Sequence, residues 1–445
     1  MANLIPELRT LRQVPLSARI NGKPPALDLT NAVRLCDPST PLDPTIDKDL
    51  HINPAGARAS DPLARIARNI QRAGGMQTLH MVGGHFGSGK TTELLRIKKQ
   101  LETGQNAATV LFLDAHQALS HTNVDLEDIL IALWALLAEL DFNATLTIYK
   151  KLLKDQLENR VKNILSEVPG TLEKLLGKLL GDLQTSAQSE SLRLALHPLV
   201  ASLIEGLNQA IRTLPPHIHS PEAPMVVLID NLEKLPHAKR EAVEKLYLER
   251  MVELKKLEAH LIITVPLYLC YAVSGASLIG LYGGEILVIP MIEVRKPISK
   301  GGGDNEEGIA MMVDMLSRRV HFDSLFEEKS KAAETIARAS GGSMRHALRI
   351  LSSALNEQDA PPITAESIQI SIGTMQADYE RALPEQYVPI LKDVAKLNRF
   401  PDGLEGNIKR ELLMHLYVLE YRNGSPEPWY AVHPLVERCR KYRES

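Results

Sequence analysis

The segment with the densest chemistry in this chain is Gly84-His85-Phe86-Gly87-Ser88-Gly89-Lys90-Thr91. It satisfies G-x-x-x-x-G-K-[ST], a pattern suited to a polyphosphate. The glycines let the backbone curl until consecutive N–H groups point inward, and a helix starting at the lysine adds the positive end of its dipole. Lys90 is expected to reach the β and γ phosphates, and the Thr91 hydroxyl to ligate a magnesium ion. Gly84, Gly87, Ser88, Gly89 and Thr92 complete the expected nucleotide-binding set around Lys90 and Thr91. Asp230 closes the apolar run VVLI, which would bring its carboxylate out at the carboxyl edge of a sheet, where it can serve the same ion. The next position is Asn231, and the next acid is Glu233, which becomes the expected base for an attacking water. Thr264, near the end of HLIITV, is either a polar sensor of the terminal phosphate or a core threonine. In Gly341-Gly342-Ser343-Met344-Arg345, Ser343 is expected to cap a helix and Arg345 to face a nucleotide from a mobile lid.

These residues need a frame. TLHMVGG (78–84) reads as a buried strand running into the glycine loop, TTELLRIKKQLE (91–102) as an amphipathic helix, and ATVLFLDA (108–115) as a second strand. MVVLID (225–230), HLIITV (260–265) and EILVIPM (285–291) add three more β-branched runs. The expected fold class is therefore α/β, a parallel P-loop NTPase sheet with a large helical insertion, a helical lid and a C-terminal winged-helix-like domain. Leucines at helical spacing (Leu126, Ile129, Leu130, Leu133, Leu137, Leu140) mark the insertion, and Trp134 within them is expected in its core. The tail gives helices and then two strand-like runs around an Asn423-Gly424 turn, with Trp429 and His433 expected in the hairpin core. The expected boundaries are a proline-rich extended arm over 1–60, an ATPase core over 61–298 carrying the insertion at 121–215, a lid over 299–380 and the winged-helix-like domain over 381–445.

Length and composition narrow the classes further. At roughly 150 residues per domain, 445 residues allow two or three domains with full cores. Hydrophobic residues at 44% and charged residues at 24% are ordinary for a folded globular protein, which argues against long disordered stretches. A net charge of -3 removes the overall basic field usual in nonspecific nucleic-acid binders. Cys36, Cys270 and Cys439 are far apart and without metal-ligand spacing, which fits reduced thiols and a cytoplasmic location. MANLIPELRTLRQ contains no continuous apolar stretch of signal-peptide length. The uncharged stretch from Leu261 to Gly284 is long enough to raise a membrane span, but Pro266 and its Ser/Gly-rich middle favour a strand, loop and short helix, so no membrane is expected.

The set VGGHFGSGKTTEL, VVLIDNLEKL, LIITVPLYL, IPMIEVR, SGGSMRHALRIL and VLEYRNGSPEPWYAVHPLV resembles bacterial P-loop ATPases of the AAA+ and STAND assemblage, related to NACHT and KAP ATPases. The resemblance runs over nearly the whole chain from about Asp28. It implies ATP and Mg2+ as cofactors, Glu233 as the acid acting on water, and Arg345 as the second sensor of the lid. No arginine or lysine lies between Val265 and Glu285, where ring-forming relatives place an arginine finger; Arg250, Arg318 and Arg319 remain as substitutes. A slowly hydrolysing switch is thus expected over a processive motor, with a protein partner or effector, possible self-association, and a role in bacterial signalling or anti-phage defence. The alternatives are a DNA-associated initiator or transposition-type ATPase that grips duplex DNA with its winged helix, and a scaffold that binds ATP without turning it over. In the tail, Lys409, Arg410, Arg438, Arg440, Lys441 and Arg443 are offset by Glu405, Glu411, Glu420, Glu427, Glu437 and Glu444, which favours regulatory packing over DNA binding.

Overall fold

A computed structural model describes residues 15–54, 61–73, 75–103, 107–120, 124–165, 168–184, 188–220, 222–234, 240–271, 273–284, 286–422 and 427–445. The Asn423-Gly424 turn, the first 14 residues of the arm and the His121 start of the insertion lie outside them. The strands are β1 (Leu79–Gly84), β2 (Thr109–Asp114), β3 (Met225–Asp230), β4 (His260–Thr264) and β5 (Ile286–Ile289), joined in the order β2-β3-β4-β1-β5. Val82 lies opposite Thr264, Ile229 opposite Ile263 and Asp114 opposite Asp230, and these pairings are all parallel. All six residues of β3 are buried, as expected for a β-branched run covered on both faces. This crossover sheet, with the glycine loop between β1 and its helix, is an α/β P-loop NTPase fold.

The chain divides into two compact units. One is built mainly from Ala64–Val82 and Ile97–Leu287 and contains the insertion. Its helix Leu126–Leu140 is started by a capping box of Asp125 and Asp128 and is apolar on nearly every side, so it is buried all round. Helices Leu172–Gln184, Ser189–Leu196 and Val200–Arg212 follow. Trp134 sits in this core, 1% exposed, with its indole N–H donating to the Leu203 carbonyl. The stretch considered for a membrane forms β4 and the short helices Leu267–Cys270 and Val273–Tyr282; no helix among the described residues is long and apolar enough to cross a bilayer.

The second unit joins Val14–Leu63, Gly83–Arg96 and Val288–Ser445. Its lid helices, Glu306–Ser317, Ser330–Ser340, Met344–Leu355 and Ala365–Ala382, share one apolar core with Leu16, Leu35, Leu42 and Leu50 of the arm. The arm is more folded than its prolines suggest. Asp28 caps a helix over Leu29–Leu35 by accepting from the Asn31 N–H, and this helix buries Ala32 and Leu35. The tail has helices Val388–Leu397 and Gly406–Met414, then the antiparallel hairpin β6 (Val418–Tyr421) and β7 (Trp429–Val432). Trp429 stacks on Tyr421 in the hairpin core as expected, whereas His433, fully buried, follows β7 and packs its ring against His346 and Tyr379 of the lid helices instead.

Candidate functional site

In the second unit the glycine loop has the strained geometry its sequence requires. Gly84 and Gly87 take positive φ angles of 153° and 83°. A Cβ on Gly84 would stand 2.8 Å from the Ile289 carbonyl oxygen, and one on Gly87 2.7 Å from the Arg345 Cβ and 2.8 Å from the Ser343 Oγ. Only glycine supplies both the backbone angle and the space. Gly89 is also left-handed, and Lys90 opens the helix Lys90–Leu101, so Thr91 and Thr92 occupy its first turn. The Lys90 Nζ donates to the carbonyls of Gly84 and His85, each at 3.0 Å, and is thereby held against the start of the loop. Glycine-enforced curvature, a lysine bridging the curl and a helix start are the parts of a polyphosphate cradle. The loop residues present fit a polyphosphate.

The lid meets this loop. Ser343 caps the helix Met344–Leu355, its Oγ accepting from the His346 N–H as expected, and the Arg345 backbone packs against Gly87. His85, present in the motif only as an unspecified position, turns out to be an anchor. Its Nδ1 donates to the Leu413 carbonyl at 3.2 Å and its Nε2 accepts from the Glu420 N–H at 2.9 Å, tying the loop to the tail hairpin. Burial, followed by the Lys90 charge, pushes the His85 pKa down to about 3, so the ring is neutral, as an accepting Nε2 requires.

In the first unit the strand ends carry the acids. Asp230 ends β3 fully buried, its Oδ1 accepting from the Asn231 N–H at 2.7 Å. Asn231 is left-handed at φ 64°, a conformation asparagine tolerates better than most residues, and its side-chain amide donates to Asp114 Oδ1 at 2.9 Å. This turn explains the displaced acid: Asn231 is used to lock the chain, and Glu233 follows on the turn Leu232–Lys234, 4% exposed. Burial and then the Glu233 charge raise the Tyr247 phenol pKa well above its usual value. Thr264 is completely buried at the end of β4, and its Oγ1 has no hydrogen-bond partner among the described residues.

Sequence reasoning missed Asp114, although VLFLD repeats the pattern of VVLID; its carboxylate also caps the short helix Ala115–Ala118. Of the three substitute fingers, Arg250 is held by Asp125 and Glu127, and Arg319 is only 6% exposed. A buried arginine cannot extend to a neighbouring molecule. Arg318 is exposed and pairs with Asp314 at 3.7 Å.

No protein-family model matches the chain, and no curated protein matches it. Among solved structures, it is similar to the Walker-type ATPase PABY2304 of Pyrococcus abyssi, at 13% identity over 88% of this chain and 99% of that one, with a TM-score of 0.38. It is similar to Cdc6p of Pyrobaculum aerophilum at 13% identity, 86% and 91% coverage and a TM-score of 0.35. The ORC2 protein of Aeropyrum pernix, solved as ADPNP and ADP complexes, is similar at 13% identity, 87% and 91% coverage and a TM-score of 0.37.

Proposed function

We propose that this protein binds ATP with Mg2+, hydrolyses it slowly and uses the nucleotide state as a switch read by a partner. The observation that carries the reading is the loop Gly84–Thr91, whose left-handed glycines and Lys90 bridge form a phosphate cradle at a helix start. Magnesium-bound ATP would supply a phosphoanhydride whose cleavage makes the switch resettable. Lys90 and the loop N–H groups hold negative charge, and Thr91 offers its hydroxyl to the ion. Asp230 is the acid assigned to that ion, Glu233 the base assigned to water, and Thr264 the polar sensor. Arg345, on the lid helix packed at Gly87, is assigned to the terminal phosphate.

The hairpin supports a packing role for the tail. The Glu420 carbonyl accepts from the Met291 N–H, the Tyr421 hydroxyl donates to the Gly341 carbonyl at 2.7 Å, and Arg295 makes a two-bonded pair with Glu437. These contacts favour regulatory packing over DNA binding. A role in bacterial signalling or anti-phage defence goes with this reading and is supported by the sequence resemblance alone.

The test is calorimetry on nucleotide-free protein followed by phosphate-release assays. Wild type should take up ATP, Lys90→Ala should lose uptake by about a hundredfold or more, and Glu233→Gln should bind while releasing no phosphate above background. Unchanged uptake by Lys90→Ala would refute the site, and full turnover by Glu233→Gln would refute the assigned base.

A further inference from the structure

Arg319 follows the lid helix Glu306–Ser317, and its Nε and Nη1 have no hydrogen-bond partner among the described residues. It is 6% exposed, and burial lowers its pKa. The nearby carboxylate of Asp47 is already engaged by the Ser17 N–H and hydroxyl at 2.9 and 2.6 Å. A desolvated guanidinium with idle donors is costly, so the fold must offset it or a ligand must answer it. Arg319 lines a half-open pocket whose wall includes Ser88 and Gly89, immediately before Lys90. Leu50 and Met344 give it apolar walls, and His51 lines it with an Nε2 that likewise has no partner among the described residues. Burial lowers the His51 pKa, so its ring is neutral near pH 7 and can offer a lone pair.

A nucleotide held by its phosphates on the loop has this pocket beside Ser88 and Gly89 for its base, and apolar walls edged by Arg319, His51, Thr92 and Glu93 suit a flat heterocycle. We propose that Arg319 and His51 read the edge of an adenine base, Arg319 donating to a ring nitrogen and the His51 Nε2 accepting from the 6-amino group. This rests on the phosphate-loop reading above. Guanine carries a carbonyl where adenine carries the amine, which would strand the His51 lone pair. Arg319 and His51 thus become the residues that choose the base, each already in position before the ligand arrives.

The experiment is calorimetry on the full-length protein with Mg2+ and three probes: ATP, GTP and inorganic tripolyphosphate, which has no base. Wild type should bind ATP about tenfold or more tighter than either other probe. Arg319→Met should bring ATP down to the tripolyphosphate level and leave tripolyphosphate unaffected. Its ligand-free melting temperature should hold or rise, since an unanswered buried charge is gone. Equal weakening of ATP and tripolyphosphate, or unchanged ATP affinity, would overturn the proposal. If Arg319→Met does not fold, His51→Phe decides, by narrowing the ATP-to-GTP ratio at least threefold or by leaving it as in wild type. A wild type that binds ATP and tripolyphosphate equally sinks the base proposal while the loop reading stands; one that binds neither sinks both.

Discussion

Gly87 shows how much the site depends on the absence of a single carbon. With φ at 83° and a would-be Cβ 2.7 Å from Arg345 Cβ, alanine is excluded by backbone angle and by space at once. The obstructing atoms belong to the first turn of a packed lid helix and cannot swing aside as the tip of a long side chain would. Gly87→Ala is therefore expected to cost about 1–3 kcal/mol of stability and to weaken ATP uptake about tenfold or more by displacing Arg345 from the loop. Parallel denaturation and calorimetry check both, and an alanine variant with wild-type uptake would show that the lid contact has no bearing on nucleotide. At this scale the motif was readable because glycine and lysine have few other reasons for such spacing. The identity of Arg319 as a cavity residue was not, because an arginine beside a helix end ordinarily lies in water.

Among the elements, legibility followed burial. The strands were readable because buried parallel strands are spelled as β-branched runs, and MVVLID matched its observed bounds. The Leu126–Leu140 helix was readable from its leucines, but the polar contact that specifies its packing was not. Asp128, fully buried, receives two bonds from Arg193, 65 positions away, at 2.7 and 2.8 Å. Sequence periodicity carries no information on such a distant pair. Removing the cation alone leaves a carboxylate in an apolar core, where desolvation already raises its pKa. Arg193→Met is expected to destabilise the insertion by about 3–5 kcal/mol, and Asp128→Leu with Arg193→Met to recover part of that loss, because apolar packing often replaces a buried ion pair at little cost while the Asp128 half of the capping box is lost. Urea unfolding of the two variants checks this, and a double variant as weak as the single would show that the pair supplies more than charge balance.

For the whole molecule, the buried histidines set a pH limit. Burial depresses His85 to about 3, His346 to about 4 and His433 well below its usual value, and partial burial brings His80 to about 4. In the unfolded chain each titrates near about 6.5. Below that pH the unfolded state binds protons that the folded state refuses, so stability present above about pH 6.5 is lost as pH falls toward the folded values. Each such histidine steepens the loss by up to about 1.4 kcal/mol per pH unit. Asp37, held near 2 by bonds from Ser39 and Thr40 that outweigh its burial, adds its own loss only below about pH 3.8. The decline between pH 6.5 and 4 therefore carries a histidine signature. Melting curves at pH 7, 6 and 5 should show the midpoint falling progressively, and His85→Gln, with no titrating ring, should flatten that fall by one histidine's share. A midpoint constant from pH 7 to 5 would mean that these rings accept protons in place, and the neutral His85 bridge between the phosphate loop and the hairpin would then have to be abandoned.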